Sequence, residues 1–120
     1  MKIFLIFALA LAACSAETYT TENDNFDITA VVADTEALRK LTNCFIDKGE
    51  CDTVGAGFKE DLGEAVEQAC KKCTDAQKHI FKHFIAGLKE KLPAENQAFR
   101  NKYDPQNKYF VALEEAVAKY

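Results

Sequence analysis

The sequence is poor in helix-breaking residues and in serine. Two prolines and five glycines among 120 residues argue against a sandwich of many tight turns and favour helices. Ser15 is the only serine and lies among the first sixteen residues, so the rest of the chain offers no serine nucleophile. Tryptophan is absent, and so is any Asn-x-Ser/Thr sequence for N-glycosylation. The composition therefore favours an all-α protein without a serine-based active site.

Acidic residues outnumber basic ones. The chain carries 15 basic and 19 acidic residues, for a formal net charge of −4. No run of lysine or arginine is long enough to neutralise a phosphate backbone. We therefore expect no nucleic-acid partner.

The first sixteen residues are typical of a signal peptide. Lys2 precedes an apolar run over residues 3–13, and Cys14 and Ala16 place small side chains at the −3 and −1 positions of a cleavage site. Residues 11–14 also resemble a bacterial lipid-attachment box, but cleavage after Ala16 would remove Cys14. We therefore predict a signal peptide over residues 1–16 and one secreted, extracellular domain over 17–120, with no stable membrane anchor.

Four cysteines follow the leader, with the spacing C-x6-C-x18-C-x2-C. An even number in a short secreted chain predicts disulfides. Three pairings are possible, and proximity along the chain favours Cys44–Cys51 and Cys70–Cys73. Cys70 and Cys73 also have redox-motif spacing, but the strand pattern of such an enzyme is missing. The six residues between Cys44 and Cys51 are too many for a zinc knuckle.

Apolar residues recur at helical spacing in several segments. A short helix is predicted over residues 27–33, a second from Asp34 or Thr35 to about Asp47, and a third over 54–70. Thr74 and Gln77 form a capping box that starts a fourth helix, with further helices after Pro93 and around Tyr109. Gly49 is the expected stop for the second helix.

His79 and His83 are one turn apart on the fourth helix, a spacing that can hold one metal ion. The metalloprotease motif requires glutamate where Ile80 stands, and no third ligand is evident. We therefore expect no metal and no cofactor.

The apolar faces of the predicted helices can be explained simply as the protein core. Periodicity alone does not distinguish a core from a ligand pocket.

The chain resembles the insect chemosensory protein family, also called OS-D-like or sensory appendage proteins. The resemblance rests on the cysteine spacing and on matching residues from Tyr19 to Tyr109. They are Tyr19-Thr20-Thr21, Asp24-Asn25, Asn43-Cys44, Asp47-Lys48-Gly49, Cys51, Gly55, Lys59, Leu62, Ala65, Cys70-Lys71-Lys72-Cys73-Thr74, Gln77, Lys102-Tyr103-Asp104-Pro105 and Lys108-Tyr109.

The resemblance implies a compact six-helix globule around an apolar channel, with neighbouring cysteines bridged. It implies a carrier of long-chain fatty acids, alcohols, esters and other semiochemicals, and not an enzyme. We expect a monomer, with a membrane receptor as a candidate second partner. The alternative is a non-sensory structural or developmental protein that acts through a protein partner.

The candidate pocket residues lie on the apolar faces, mainly of the fourth helix. They are Ile28, Val31, Leu38, Leu41, Phe45, Leu62, Val66, Gln77, Ile80, Phe81, Phe84, Ile85, Leu88 and Phe99. Lys78 and Lys82 flank this set, which raises the hypothesis that they hold a carboxylate head group.

Three positions depart from the family pattern. Many members have tyrosine where Asn23 and Leu41 stand, and tryptophan where Asn96 stands. Because those aromatic side chains often line or gate the family pocket, their absence here leaves the ligand preference open. It does not change the expected fold.

Overall fold

The computed structural model describes residues 17–120, and the predicted leader over residues 1–16 lies outside them. The described chain forms six α-helices and no strand, which confirms the predicted all-α globule. The helices are α1 (Ile28–Ala33), α2 (Thr35–Phe45), α3 (Thr53–Glu67), α4 (Asp75–Lys91), α5 (Pro93–Tyr103) and α6 (Phe110–Val117). Within this range, no helix combines the length and the apolar character that a membrane crossing requires.

Side-chain caps fix the starts of the first four helices. Asp27, Asp34 and Asp52 each accept a hydrogen bond from an amide in the first turn of the helix that follows. The predicted capping box at α4 is present, with the Thr74 hydroxyl bonded to the Gln77 amide and the Gln77 side chain bonded to the Thr74 amide. These starts agree with the sequence because a cap needs only local residues.

The end of α2 differs from the prediction. The helix stops at Phe45 rather than near Asp47, and Asp47 adopts a left-handed backbone with φ of 65°. The Lys48 amide then donates to the Asn43 carbonyl at 2.8 Å, which is the long bond of a Schellman motif. The expected stop at Gly49 is wrong because Asp47, a non-glycine residue, takes the left-handed position.

The end of α3 repeats this arrangement. The helix ends at Glu67 instead of Cys70, and Ala69 and Cys70 have φ values of 54° and 60°. The Cys70 amide donates to the Ala65 carbonyl at 2.8 Å. A left-handed alanine is uncommon, so the usual glycine signal for a helix end is missing here.

Each disulfide closes one of these two turns between helices, the corner after α2 or the corner after α3. Cys44 in the last turn of α2 is bonded to Cys51, and Cys70 beyond α3 is bonded to Cys73. This is the pairing that the spacing predicted. Each bridge therefore links the end of one helix to the start of the next.

Helix α4 lies at the centre of the fold and packs against α1, α2, α5 and α6. Gly87 permits the close approach of α1, because a β-carbon there would stand 3.0 Å from the Val32 side chain. An aromatic cluster fills the interior beside α4. Phe99 is fully buried in it, with ring centroids 5.3 Å from Phe84, 6.0 Å from Phe110 and 5.0 Å from Tyr103.

The segment that joins α5 to α6 is anchored by the side chains of Tyr103 and Asp104. The Tyr103 hydroxyl donates to the Phe45 carbonyl at the end of α2, at 2.6 Å. The buried Asp104 carboxylate accepts from the amides of Lys108, Tyr109 and Phe110 at 2.7, 2.9 and 3.1 Å. Helix α6 has no side-chain cap from its N-cap residue, so Asp104 satisfies the amide of its first residue, Phe110, and those of the two residues before it.

We expect Asp104→Asn to lower the melting temperature by roughly 5–10 °C near pH 7, because an amide oxygen replaces the carboxylate that accepts three amides. Burial acts to raise the pKa of Asp104, but the three amides and the nearby Arg100 guanidinium outweigh it and lower that pKa. The carboxylate therefore stabilises the native state at neutral pH, and this contribution is lost as the pH falls through the folded-state pKa.

Thermal melts between pH 3 and pH 7 check this prediction. The difference between wild type and Asp104→Asn should shrink as the pH falls below about 5. Glu22→Gln, at an exposed position, serves as the control and should not change the melts. A difference that stays constant with pH would contradict the assigned role of the Asp104 charge.

Candidate ligand-binding pocket

The pocket occupies a gap between α3 and α4. No Cα atom of α3 lies within 8 Å of a Cα atom of α4, although α4 packs closely on four other helices. The two helices are joined by the corner that the Cys70–Cys73 bridge closes. Side chains rather than backbone therefore decide how much of the gap is filled.

The gap contains a cavity with an almost wholly apolar lining. It offers about 60 Å³ to the centres of water-sized molecules, which is room for several of them. Its lining residues come from α1 to α4, from the segment before α1 and from the corner before α4. They are Tyr19, Phe26, Ile28, Leu41, Phe45, Phe58, Asp61, Leu62, Ala65, Cys73, Gln77, Ile80, Phe81 and Phe84.

The segment that precedes α1 closes one side of the cavity. The Tyr19 amide donates to the Lys72 carbonyl at 2.9 Å, and the Tyr19 hydroxyl donates to Glu64 Oε1 at 2.8 Å. Phe26 packs edge-on against Phe58 of α3, with centroids 5.3 Å apart. The segment before α1 therefore contributes two aromatic side chains to the pocket wall.

Eight of the fourteen sequence-predicted residues lie together around the cavity. They are Ile28, Leu41, Phe45, Leu62, Gln77, Ile80, Phe81 and Phe84. Four of these lie on α4, on successive turns of one face. The structure thus places α4 along the cavity with α2 and α3 as further walls, and binding of a ligand by these residues remains a prediction.

The other six do not line the cavity. They are Val31, Leu38, Val66, Ile85, Leu88 and Phe99. Leu38 faces Gly87 where α1, α2 and α4 meet, and Leu88 is fully buried one turn beyond Phe84. Phe99 lies behind the cavity wall, against Phe45 and Phe84. The apolar periodicity is the same for core and pocket positions, so it did not separate the two.

The sequence did not single out several lining residues as pocket positions. Phe58 and Ala65 lie four residues before and three residues after Leu62, so helical spacing from Leu62 would have found them. Asp61 has that spacing to Phe58 and Ala65 rather than to Leu62. Tyr19 and Phe26 had no such signal, because contacts distant in sequence hold their segment in place. Gln77 Nε2, for example, donates to the Thr20 carbonyl at 2.8 Å.

The charged residues on the far side of α4 do not reach the cavity. Lys82 Nζ donates to the Ala118 carbonyl at 2.6 Å, and Lys78 lies over the Tyr120 ring, 4.9 Å from its centroid. The hypothesis of a carboxylate held by these lysines is therefore wrong.

In the part of the chain that the structure describes, the two histidines of α4 do not form part of a metal site. His79 bonds the Tyr120 carbonyl, and no group of three metal-ligating side chains occurs among residues 17–120.

The cysteine pair with redox spacing forms a disulfide that is almost fully buried. Cys70 has no exposed surface, and Cys73 is 7 % exposed against the cavity.

Of the three positions that depart from the family pattern, Leu41 lines the cavity, whereas Asn23 and Asn96 do not. The aromatic lining comes instead from Tyr19 and from five phenylalanines.

Two solved structures are similar to this fold. A chemosensory protein in complex with bromo-dodecanol superposes with a TM-score of 0.74 at 30% identity, covering 82% of this chain and 98% of that one. The antennal chemosensory protein A6 from the moth Mamestra brassicae gives a TM-score of 0.67 at 29% identity, covering 84% and 94%.

Two proteins are similar in sequence. Allergen Tha p 1 of Thaumetopoea pityocampa is 36% identical over 113 residues, which is 91% of this chain and 89% of the relative. Ejaculatory bulb-specific protein 3 of Drosophila melanogaster is 31% identical over 111 residues, 91% and 88% of the two chains. Residues 19–111 also match the sequence model of the A10/OS-D insect pheromone-binding family. The chain therefore belongs to the A10/OS-D family of insect pheromone-binding proteins.

Proposed function

We propose that this protein is a secreted carrier that binds small hydrophobic molecules in the cavity between α3 and α4. The observation that carries the proposal is the cavity itself, in which ten of the fourteen lining side chains are aliphatic or phenylalanine. The family is one of binding proteins and not of enzymes, and a structural neighbour holds bromo-dodecanol. Long-chain alcohols, fatty acids and esters are the ligand classes that we propose.

Hydrophobic transfer supplies the driving force. Each buried CH₂ contributes about 0.8 kcal/mol, so a twelve-carbon chain gains roughly 9 kcal/mol before the costs of ordering. The loss of translational and rotational freedom and the ordering of side chains subtract several kcal/mol from this gain, so the net affinity is weaker than the submicromolar Kd that roughly 9 kcal/mol would give. The cavity is small for such a chain, so the half-buried Phe26, Phe58 and Leu41 would move aside when it enters.

We also propose secretion, with residues 1–16 removed as a signal peptide. The support is the charged start, the apolar run and the small residues before Glu17. The four cysteines of the mature chain are all bridged, as suits an oxidising compartment.

Displacement of a fluorescent probe by 1-dodecanol, together with thermal melts, tests the carrier function. At a ligand concentration of a hundred times Kd, the native state gains about 2.7 kcal/mol, which raises Tm by roughly 10 °C. 1-Butanol is the control ligand, since it buries little apolar surface. If alcohols, acids and esters of twelve to eighteen carbons all failed to displace the probe and to shift Tm, the alternative of a protein partner would be favoured.

A further inference from the structure

Asp61 is the only acidic side chain in the cavity lining, and it lies on the inner face of α3. It is half-buried, three residues from Phe58 and four from Ala65, both of which also line the cavity. An apolar or neutral residue would suit this position better if it served only as core. A carboxylate at this position is therefore a candidate contact for the polar group of a ligand.

The other polar side chains in the lining each have a partner within the protein. The Tyr19 hydroxyl donates to Glu64 Oε1 at 2.8 Å. Gln77 Oε1 accepts from the Thr74 amide at 2.9 Å, and its Nε2 donates to the Thr20 carbonyl at 2.8 Å. Among residues 17–120, Asp61 has neither a hydrogen bond nor an ion pair. Its oxygens are thus the free acceptors at the cavity.

The electrostatic surroundings of Asp61 are negative. Burial raises the pKa of Asp61, and the Glu60 and Glu64 carboxylates raise it further. Lys72 does not compensate Asp61, since its Nζ lies 3.4 Å from Glu64 Oε2 and 3.9 Å from Glu17 Oε1. A second carboxylate at this end of the cavity would meet like charge.

We propose that Asp61 accepts a hydrogen bond from the ligand head group, so that the pocket selects long-chain alcohols over carboxylates of the same length. This inference rests on the proposed carrier function. An alcohol donates its O–H to the carboxylate, which gives a charge-assisted hydrogen bond. A methyl ester has no donor but also no charge, so it takes an intermediate place. A fatty-acid anion has no donor and suffers repulsion.

The test compares 1-dodecanol, methyl dodecanoate and dodecanoate as competitors of one fluorescent probe at pH 7.5, with the alcohol and ester below their solubility limits and the carboxylate below its micelle concentration. With wild-type protein we expect the alcohol to bind roughly tenfold or more tightly than the carboxylate, and the ester to fall between them. Asp61→Asn keeps the size of the side chain, removes its charge and adds a donor. We expect this variant to bind carboxylate more tightly and alcohol more weakly, so that the two differ by less than about threefold.

Asp75→Asn is the matched control, because it makes the same change at an exposed position of α4 outside the lining. It should keep the wild-type order of ligands. Equal binding of alcohol and carboxylate by wild type, or an unchanged order in Asp61→Asn, would overturn the role of Asp61 while leaving the carrier function intact. Failure of all three ligands and the probe to bind wild type would instead reject the carrier function, and the inference with it.

Discussion

Replacement of Phe99 by alanine should lower the free energy of unfolding by roughly 3–5 kcal/mol, a large share of the 5–15 kcal/mol typical of a domain. The Phe99 side chain has no exposed surface and meets the rings of Phe45, Phe84, Tyr103 and Phe110. Its removal leaves a void among groups that are fixed by α2, α4, α5 and α6, so they can collapse only in part. Chemical denaturation with urea measures the loss.

Phe58→Ala is the matched control for this substitution. Phe58 is only half-buried and packs on Phe26 at the edge of the cavity, so the same change should cost much less. The pair also separates core from pocket. A Phe99→Ala protein that lost less than about 1 kcal/mol but bound ligand poorly would show that Phe99 is a pocket residue after all.

The second large effect is expected at Ala65, which lines the cavity from α3 and is 4 % exposed. Ala65→Leu adds three carbon atoms in the direction of the cavity. We expect the affinity for 1-dodecanol to fall at least about tenfold, because the added side chain occupies space that the ligand needs. The stability should be unchanged or higher, since the void is filled rather than overpacked.

Probe displacement and thermal melts of Ala65→Leu and of Ala56→Leu check this prediction. Ala56 is exposed on the same helix, so its variant should bind as wild type does. Full affinity in a folded Ala65→Leu protein would place the ligand elsewhere. A loss of more than about 2 kcal/mol of stability would show instead that α3 and α4 leave no usable space at this position.

Local chemistry explains how much of the fold could be predicted. The starts of α2 and α4 are set by Asp34 and by the Thr74–Gln77 box, and such caps involve only neighbouring residues. The ends of α2 and α3 could not be placed as well. Asp47 and Ala69 take left-handed conformations that a sequence rule reserves for glycine, and the surrounding hydrogen bonds and bridges hold them there.

The pocket could be predicted only in part for a different reason. Phe84 and Phe99 both lie on apolar helix faces, and only the three-dimensional arrangement shows that one faces a cavity and the other the core. Phe26 was missed because the path of its segment depends on bonds such as that from Tyr19 to Lys72. Asp61 was missed because a carboxylate within an apolar stripe is ordinarily taken as a surface residue.

The two closed corners also bear on how the chain reaches its native state. Each bridge spans only seven or three positions along the chain, so its two thiols are near neighbours before any distant contact forms. The effective concentration of the correct partner therefore exceeds that of the others even in the unfolded ensemble, since short loops close at the lowest entropic cost. Oxidative folding of this protein should pass through few isomers with wrongly paired cysteines. Formation of the native helix arrangement should therefore not be limited by the rate of thiol–disulfide exchange, because each bridge joins residues that are already close along the chain.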